Sequence, residues 1–301
     1  MLRLAGIILV ALAAAICSAR AQGAPGGPLN VVATFSILGD FAKHVGGDRI
    51  GVTTLVGQNS DTHVYTPTPS DAKKIADAKL VIVNGLGLEG WLPRLVKSSG
   101  SKAVTVVATK GIAARKIEDG HSHDPADADP HAWQSVPNAK IYVANIRDAL
   151  IAADPAGAET YRANATTYLA ELDALDRDIS AEVAKIPLER RSVISTHDAF
   201  GYFAAAYGIK FIAPQGVSTE SEPSARDIAA IISQIKKQKI PAVFLENVSD
   251  PRLMRRIAAE TGANIGGTLY SDSLTDEKGA APTYIDMVRH NIKALTSALS
   301  S

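Results

Sequence analysis

Short β-branched runs alternate with amphipathic stretches along most of this chain. Asn30 to Thr34 reads as a strand, Ile37 to Val45 as a helix closed at Gly46-Gly47, and Val52 to Val56 as a second strand. Ser70 is placed to cap a helix running to about Ala78, and Leu80 to Asn84 is apolar enough for a buried third strand. Trp91 to Lys97 reads as helix and Val104 to Val107 as a fourth strand. This rhythm predicts a parallel sheet with helices on both faces. The acidic string 118–130 interrupts it.

A long amphipathic stretch follows. From Pro155 to Lys185, Tyr161, Ala165, Tyr168, Leu169, Leu172, Leu175, Ile179 and Val183 keep a three/four spacing. Asp154 is the expected cap, Pro155 suits the first turn, and Pro187 ends the helix. Thirty helical residues span about 45 Å, more than one small domain needs, so the stretch reads as a strut between two lobes. The rhythm then restarts. Strands are expected over Ser192–Thr196, Ile209–Ala213, Ala242–Glu246 and Asn264–Leu269. Helices are expected over Phe200–Tyr207, Ala225–Gln238 (capped by Ser224), Pro251–Thr261 and Thr283–Leu299. The expected organisation is α/β: two Rossmann-like lobes with parallel sheets, residues 22–153 and 187–301, joined by one long helix, 154–186.

Residues 1–21 stand apart. Arg3 precedes an apolar stretch from Leu4 to Cys17, and Ala19-Arg20-Ala21 is a small-residue cleavage site. This is the pattern of an export signal peptide cut after Ala21, too short for a spanning helix. Cys17 offers a lipidation site as the less favoured alternative, because Ile16 stands where a small residue is expected. The mature chain then has no cysteine, so its stability must come from its core. Its formal charge is about −2 without a basic stripe, which argues against nucleic acid.

The chain has seven histidines, and three stand in polar, turn-like strings. These strings are Asp61-Thr62-His63-Val64-Tyr65-Thr66-Pro67, Asp129-Pro130-His131-Ala132-Trp133 and Ser195-Thr196-His197-Asp198, with Ser271-Asp272-Ser273 beyond the last strand. His197 and Asp272 follow strands directly, at the carboxyl ends where open α/β sheets place ligands. Each lobe contributes two candidates, so a site in the inter-lobe cleft follows. Three imidazoles and a carboxylate suit zinc, with manganese behind; magnesium and calcium want nearly all-oxygen shells.

Those strings, with Pro67-Thr68-Pro69-Ser70-Asp71, Ala199-Phe200-Gly201-Tyr202-Phe203 and Gly216 to Ser224, resemble the metal-binding motifs of cluster A-I periplasmic solute-binding proteins. That family serves zinc and manganese ABC importers, and the resemblance covers nearly the whole mature chain. It implies two lobes on a rigid helix, with His63, His131, His197 and Asp272 as ligands to Zn(II) or, less favoured, Mn(II). It also implies delivery to a permease in the inner membrane. Manganese members typically carry a glutamate as third ligand. Here His197 stands there, which leans towards zinc and the AztC-like and ZnuA-like members. Zinc members often have a long His-rich loop; here only His121-Ser122-His123-Asp124 remains. It either captures zinc weakly and docks a periplasmic metallochaperone, or is a solvated acidic loop.

Glu246, ending a strand, either orients a ligating imidazole or bonds backbone. Trp133 either shields the site or packs. His44 and His290 are expected to face solvent. A zinc hydrolase would keep an open coordination position, which Asp272 closes, and no His-Glu-x-x-His string occurs. A binder of iron chelates or cobalamin would not need the imidazole set. The expectation is a monomeric binder rather than an enzyme.

Overall fold

The computed structural model describes residues 27–117 and 128–300. The signal-peptide segment, Cys17 and the His121-His123-Asp124 string lie outside the described residues. The first sheet is formed by β1 (Leu29–Phe35), β2 (Ile50–Val56), β3 (Leu80–Val83) and β4 (Val104–Val107), in the order β2-β1-β3-β4, all parallel. The second is formed by β5 (Ser192–Ile194), β6 (Lys210–Ile212), β7 (Ala242–Glu246) and β8 (Asn264–Leu269), in the order β6-β5-β7-β8, again all parallel. The two orders are the same. Each reverses direction beside its first strand, the point where open sheets form a ligand crevice.

The first lobe's helices are α1 (Ser36–Gly46), α2 (Pro69–Asp77), α3 (Leu92–Ser99) and α4 (Val136–Ala153). The strut is α5 (Ala158–Ala184). The second lobe carries α6 (Gly201–Tyr207), α7 (Ala225–Gln238), α8 (Arg252–Thr261) and α9 (Tyr284–Leu299). The pattern reading above assigns nothing to α4, an 18-residue helix that buries Val136, Ala139, Tyr142, Val143, Ile146 and Leu150. Two caps differ from expectation. Helix α2 starts at Pro69, and Thr68, not Ser70, accepts the Asp71 N–H, while the Asp71 carboxylate accepts the Thr68 N–H in return. Asp154 caps nothing; its carboxylate accepts from Arg49 and the Tyr161 hydroxyl, tying the start of the strut to the first lobe. Ser224 does cap α7, through Asp227.

Each sheet's outer face has its own apolar cluster, Val32-Val81-Leu95 in the first lobe and Ile194-Val243-Ile257 in the second. The inner faces do not. Phe41, Tyr142 and Trp133 of the first lobe, Leu172 and Ile179 of the strut, and Phe200, Phe244 and Leu295 of the second belong to one continuous core. The strut is therefore a shared core element, which limits how far the lobes can rotate as independent bodies.

His44 and His290 are half-buried rather than solvent-facing. His44 stacks on Tyr168 at 4.1 Å between centroids, and His290 Nε2 lies 3.0 Å from the Thr268 carbonyl. Both sit where α1 and α9 turn towards the shared core, and their ring faces find apolar partners there.

A shared core predicts cooperative unfolding. Leu172→Ala should cost about 2–5 kcal/mol and lower the stability of both lobes in one transition. Urea melts followed by circular dichroism and by tryptophan fluorescence should coincide; two separated transitions would contradict a continuous core.

Candidate metal centre

The four candidates lie beyond the carboxyl ends of four strands. His63 follows β2, His131 follows β4, His197 follows β5 and Asp272 follows β8. The structure brings all four together: one nitrogen or oxygen from each lies within 4.8 Å of the others. His131, His197 and Asp272 are fully buried, and His63 is 9% exposed, so the cluster meets solvent on the His63 side.

The local chain conformation explains the aim of each ring. In both Asp-x-His strings the aspartate turns back on the histidine backbone. Asp61 Oδ1 accepts the His63 N–H at 2.8 Å, and Asp129 Oδ1 accepts the His131 N–H at 3.0 Å. Asp129 Oδ1 also lies 2.9 Å from His131 Nδ1, which leaves Nε2 pointing into the cluster. Glu246 does the same for His197: Oε2 lies 2.5 Å from Nδ1, while Oε1 accepts the N–H groups of Thr196 and His197. Both readings of Glu246 thus hold at once, since the backbone bonds fix the carboxylate that fixes the ring. Such carboxylate–imidazole pairs set the tautomer and strengthen the free nitrogen as a donor.

His63 Nε2 stands 3.2 Å from His131 Nε2 and 3.4 Å from Asp272 Oδ2. Asp272 Oδ1 is 3.5 Å from His131 Nε2, and Oδ2 is 3.1 Å from His197 Nε2. Ligands about 2.0–2.1 Å from one ion stand about 3.3–3.4 Å apart at the corners of a tetrahedron, so these edges suit a small divalent cation. Both Asp272 oxygens and His197 Nε2 are buried with no hydrogen-bond partner. Unpaired buried polar atoms of this kind are costly unless a cation meets them.

Neighbouring groups lock the loops. Asn84 donates to the Pro130 carbonyl, holding the His131 loop, and Glu89 accepts the Asn84 and Gly85 N–H groups from below. Trp133 Nε1 and Gln134 Nε2 both donate to the carbonyl of Ser271, beside Asp272. Trp133 therefore packs against His131, at 5.2 Å between centroids, and also positions the Asp272 loop. The next residue but one, Leu274, is bonded to the first lobe on both backbone groups, through Ser36 Oγ and the Asn59 N–H. Thr219 of the second lobe donates to Asp61 Oδ2 at 2.6 Å across the cleft mouth. Of these, Asp61, Asn84, Asp129 and Thr219 were not singled out from sequence. The repeated Asp-x-His spacing was the signal available for two of them.

The sequence also matches a known family. The model of the family described as zinc-uptake complex component A periplasmic (ZnuA) matches residues 31–298. The chain belongs to that family. Its members are metal-binding solute-binding proteins of ABC importers, binders rather than enzymes. One relative is the manganese-binding lipoprotein MntA of Halalkalibacterium halodurans, 38% identical over 98% of this chain and 97% of its own. Another is the iron-binding protein YfeA of Yersinia pestis, 37% identical over 88% of this chain and 84% of its own. Among solved structures, the periplasmic zinc binding protein TroA from Treponema pallidum superposes with a TM-score of 0.85 at 31% identity, over 92% of this chain and 100% of that one. No helix of the described residues is long and apolar enough to cross a membrane.

Charge sets the pH behaviour of the family site in this chain. Burial alone would depress His197, but the carboxylates of Glu246 and Asp272 override it and hold the imidazole well above its usual value. Burial would raise Asp272, but the charges of His197 and His131 hold it well below the usual carboxylate range. In the metal-free chain, the His197 contribution to stability is full below the unfolded value of 6.5 and is lost as pH rises through the raised folded value. The Asp272 contribution is present above 3.8 and lost as pH falls through the depressed one. Both are therefore in force between about pH 4 and 6.5. A metal held by His197 would have to displace that proton. Affinity should therefore fall as pH drops from the raised His197 value through neutrality, with proton release near neutrality measurable by calorimetry in buffers of different ionisation enthalpy. Unchanged affinity from pH 7.5 to 5 would contradict imidazole ligation.

Proposed function

We propose that this chain captures Zn(II) outside the cytoplasm and delivers it to the permease of an ABC importer, with His63, His131, His197 and Asp272 as the metal ligands. The observation that carries this reading is the ligand set itself. Three imidazole nitrogens converge on one buried carboxylate, and two of the three rings are backed by carboxylates of their own. Neutral imidazole favours zinc over harder ions, and a bound cation would meet the buried Asp272 oxygens, which accept no hydrogen bond.

Mn(II) is the second reading, and a specific feature favours it. Both oxygens of Asp272 face the nitrogens, so a bidentate carboxylate would raise the coordination number beyond four, and MntA is named for manganese. We take the lobes as residues 22–153 and 187–301 about the strut 154–186, and the protein as a monomer. The string His121, His123, Asp124 would serve as a capture loop or a metallochaperone contact.

For the N-terminus, MntA is named a lipoprotein, which raises the standing of Cys17 over the reading that favours cleavage after Ala21. Mass spectrometry of the exported protein separates the two. An acylated chain beginning at Cys17 supports anchoring, and a chain beginning at Gln22 supports free release.

Two measurements test the ligand assignment. Titration of the metal-free mature chain against a chromogenic chelator should give one zinc per chain, bound far more tightly than manganese, with binding abolished in His63→Ala. Tight manganese binding would transfer the role to that metal, and no binding would overturn the site. Glu246→Gln should weaken zinc binding about 10- to 100-fold while leaving the fold intact by circular dichroism. Unchanged affinity would remove Glu246 from the site.

A further inference from the structure

We propose that Arg115 sets the affinity of the metal centre by acting through Asp129 on His131; the inference rests on the reading of His131 as a metal ligand. The two buried carboxylate–imidazole pairs are not alike. The Glu246 carboxylate meets the Thr196 and His197 N–H groups and the His197 ring, and no arginine or lysine among the described residues lies within ion-pair distance of it. The Asp129 carboxylate has one oxygen on His131 and the other 3.7 Å from Arg115 Nε. One imidazole is therefore backed by an undiluted anion, and the other by an anion that shares its charge with a guanidinium.

Arg115 is held in that place by a knot that crosses the lobes. Its N–H donates to the Tyr202 hydroxyl, which in turn donates to the Asp129 carbonyl. The Asp129 N–H donates back to the Arg115 carbonyl at 2.9 Å. The guanidinium carbon lies 5.8 Å from the Tyr202 ring centroid. Gly201 supplies the room: a Cβ there would stand 2.7 Å from Asp129 Oδ2 and 2.9 Å from Arg115 Nε. Arg115 Nε is buried without a hydrogen bond, so its position is set by this frame and by charge. Asp198, beside His197, is the other carboxylate whose charge acts on Arg115. Metal-binding residues of both lobes thus have a neighbour in contact with, or acting on, the same cation.

The physical consequence has a definite sign. A carboxylate behind an imidazole makes it a better donor, and a cation beside that carboxylate offsets the effect and adds a repulsive potential for the incoming ion. Arg115 therefore holds affinity below what the ligand set would give, a condition that favours release to a transporter. A residue that served only to brace the His131 loop would have the opposite signature, since its loss would loosen the loop and weaken binding.

The test is zinc affinity by chelator competition at pH 7.5 for the wild type, Arg115→Gln, Arg115→Met and Arg115→Lys. Circular dichroism monitors the fold, and two neutral variants of different shape are used so that one misfolded protein does not void the result. The neutral variants should bind zinc about tenfold more tightly, the scale of one partly screened unit charge on a divalent ion. Arg115→Lys should stay within about threefold of wild type, and the gain should shrink in high salt because Arg115 is partly exposed. In an Asp129→Asn background the Arg115→Gln gain should be clearly smaller, because only the direct repulsion of the ion remains, and the difference is the part relayed through Asp129. Equal or weaker binding by both neutral variants would overturn the proposal, as would a full gain in the Asp129→Asn background. A wild type that binds no zinc would instead overturn the ligand assignment.

Discussion

The Asp272 carboxylate is the constraint on which the rest of this molecule turns. It is fully buried, both its oxygens lack hydrogen bonds, and three imidazole nitrogens surround it at 3.1–3.5 Å. A buried anion in that state is unfavourable in the metal-free chain unless a proton on a neighbouring imidazole offsets it. Proton and divalent cation therefore compete for one place, and the fold holds the ligands close in advance of the metal. The energy that the rest of the core contributes to folding is what keeps this electrostatic tension in place.

The architecture delivers the ligands by repetition. Two sheets of the same strand order each place two ligand-bearing loops at the carboxyl ends of their strands, facing one cleft. The inner faces of both sheets merge through α4, α5 and α6 into one core. Cross-lobe bonds then pin the ligand loops themselves: Leu274 to Ser36 and Asn59, Thr219 to Asp61, Trp133 to Ser271. A continuous core behind and these bonds in front restrain rotation of the lobes about the site. The cluster reaches solvent on the His63 side, beside Val64, which is 52% exposed.

Much of this was legible in the chain. Short apolar and β-branched runs placed all eight strands, and the three/four spacing from Tyr161 to Val183 placed the strut, because strands buried on both faces and a helix with one buried stripe each leave a readable pattern. The convergence of His63, His131, His197 and Asp272 was legible because all four stand beyond strand ends at matching positions of two repeated lobes. Other features were not. Helix α4 repeats Val136, Ala139, Val143, Ile146 and Leu150 every three or four residues, but its start directly behind the acidic string and the polar Asn138, Lys140 and Asn145 between them blur that period. Ser70 and Thr68 are both good caps, and only Pro69 at the first helical position decides between them. Asp154 has the right type for a cap but finds stronger partners in Arg49, far away in sequence, and Tyr161, seven residues ahead. The role of Asp129 depends on distances set to within a few tenths of an ångström. So does the choice between zinc and manganese, through the two faces of Asp272, and no residue pattern encodes that.

X-ray absorption on the zinc-loaded mature chain tests the central claim most directly. The account predicts one zinc in a shell of three imidazole nitrogens and a carboxylate at about 2.0–2.1 Å, with one imidazole contribution lost in His197→Ala. A shell dominated by water oxygens, unaltered by that substitution, would contradict it.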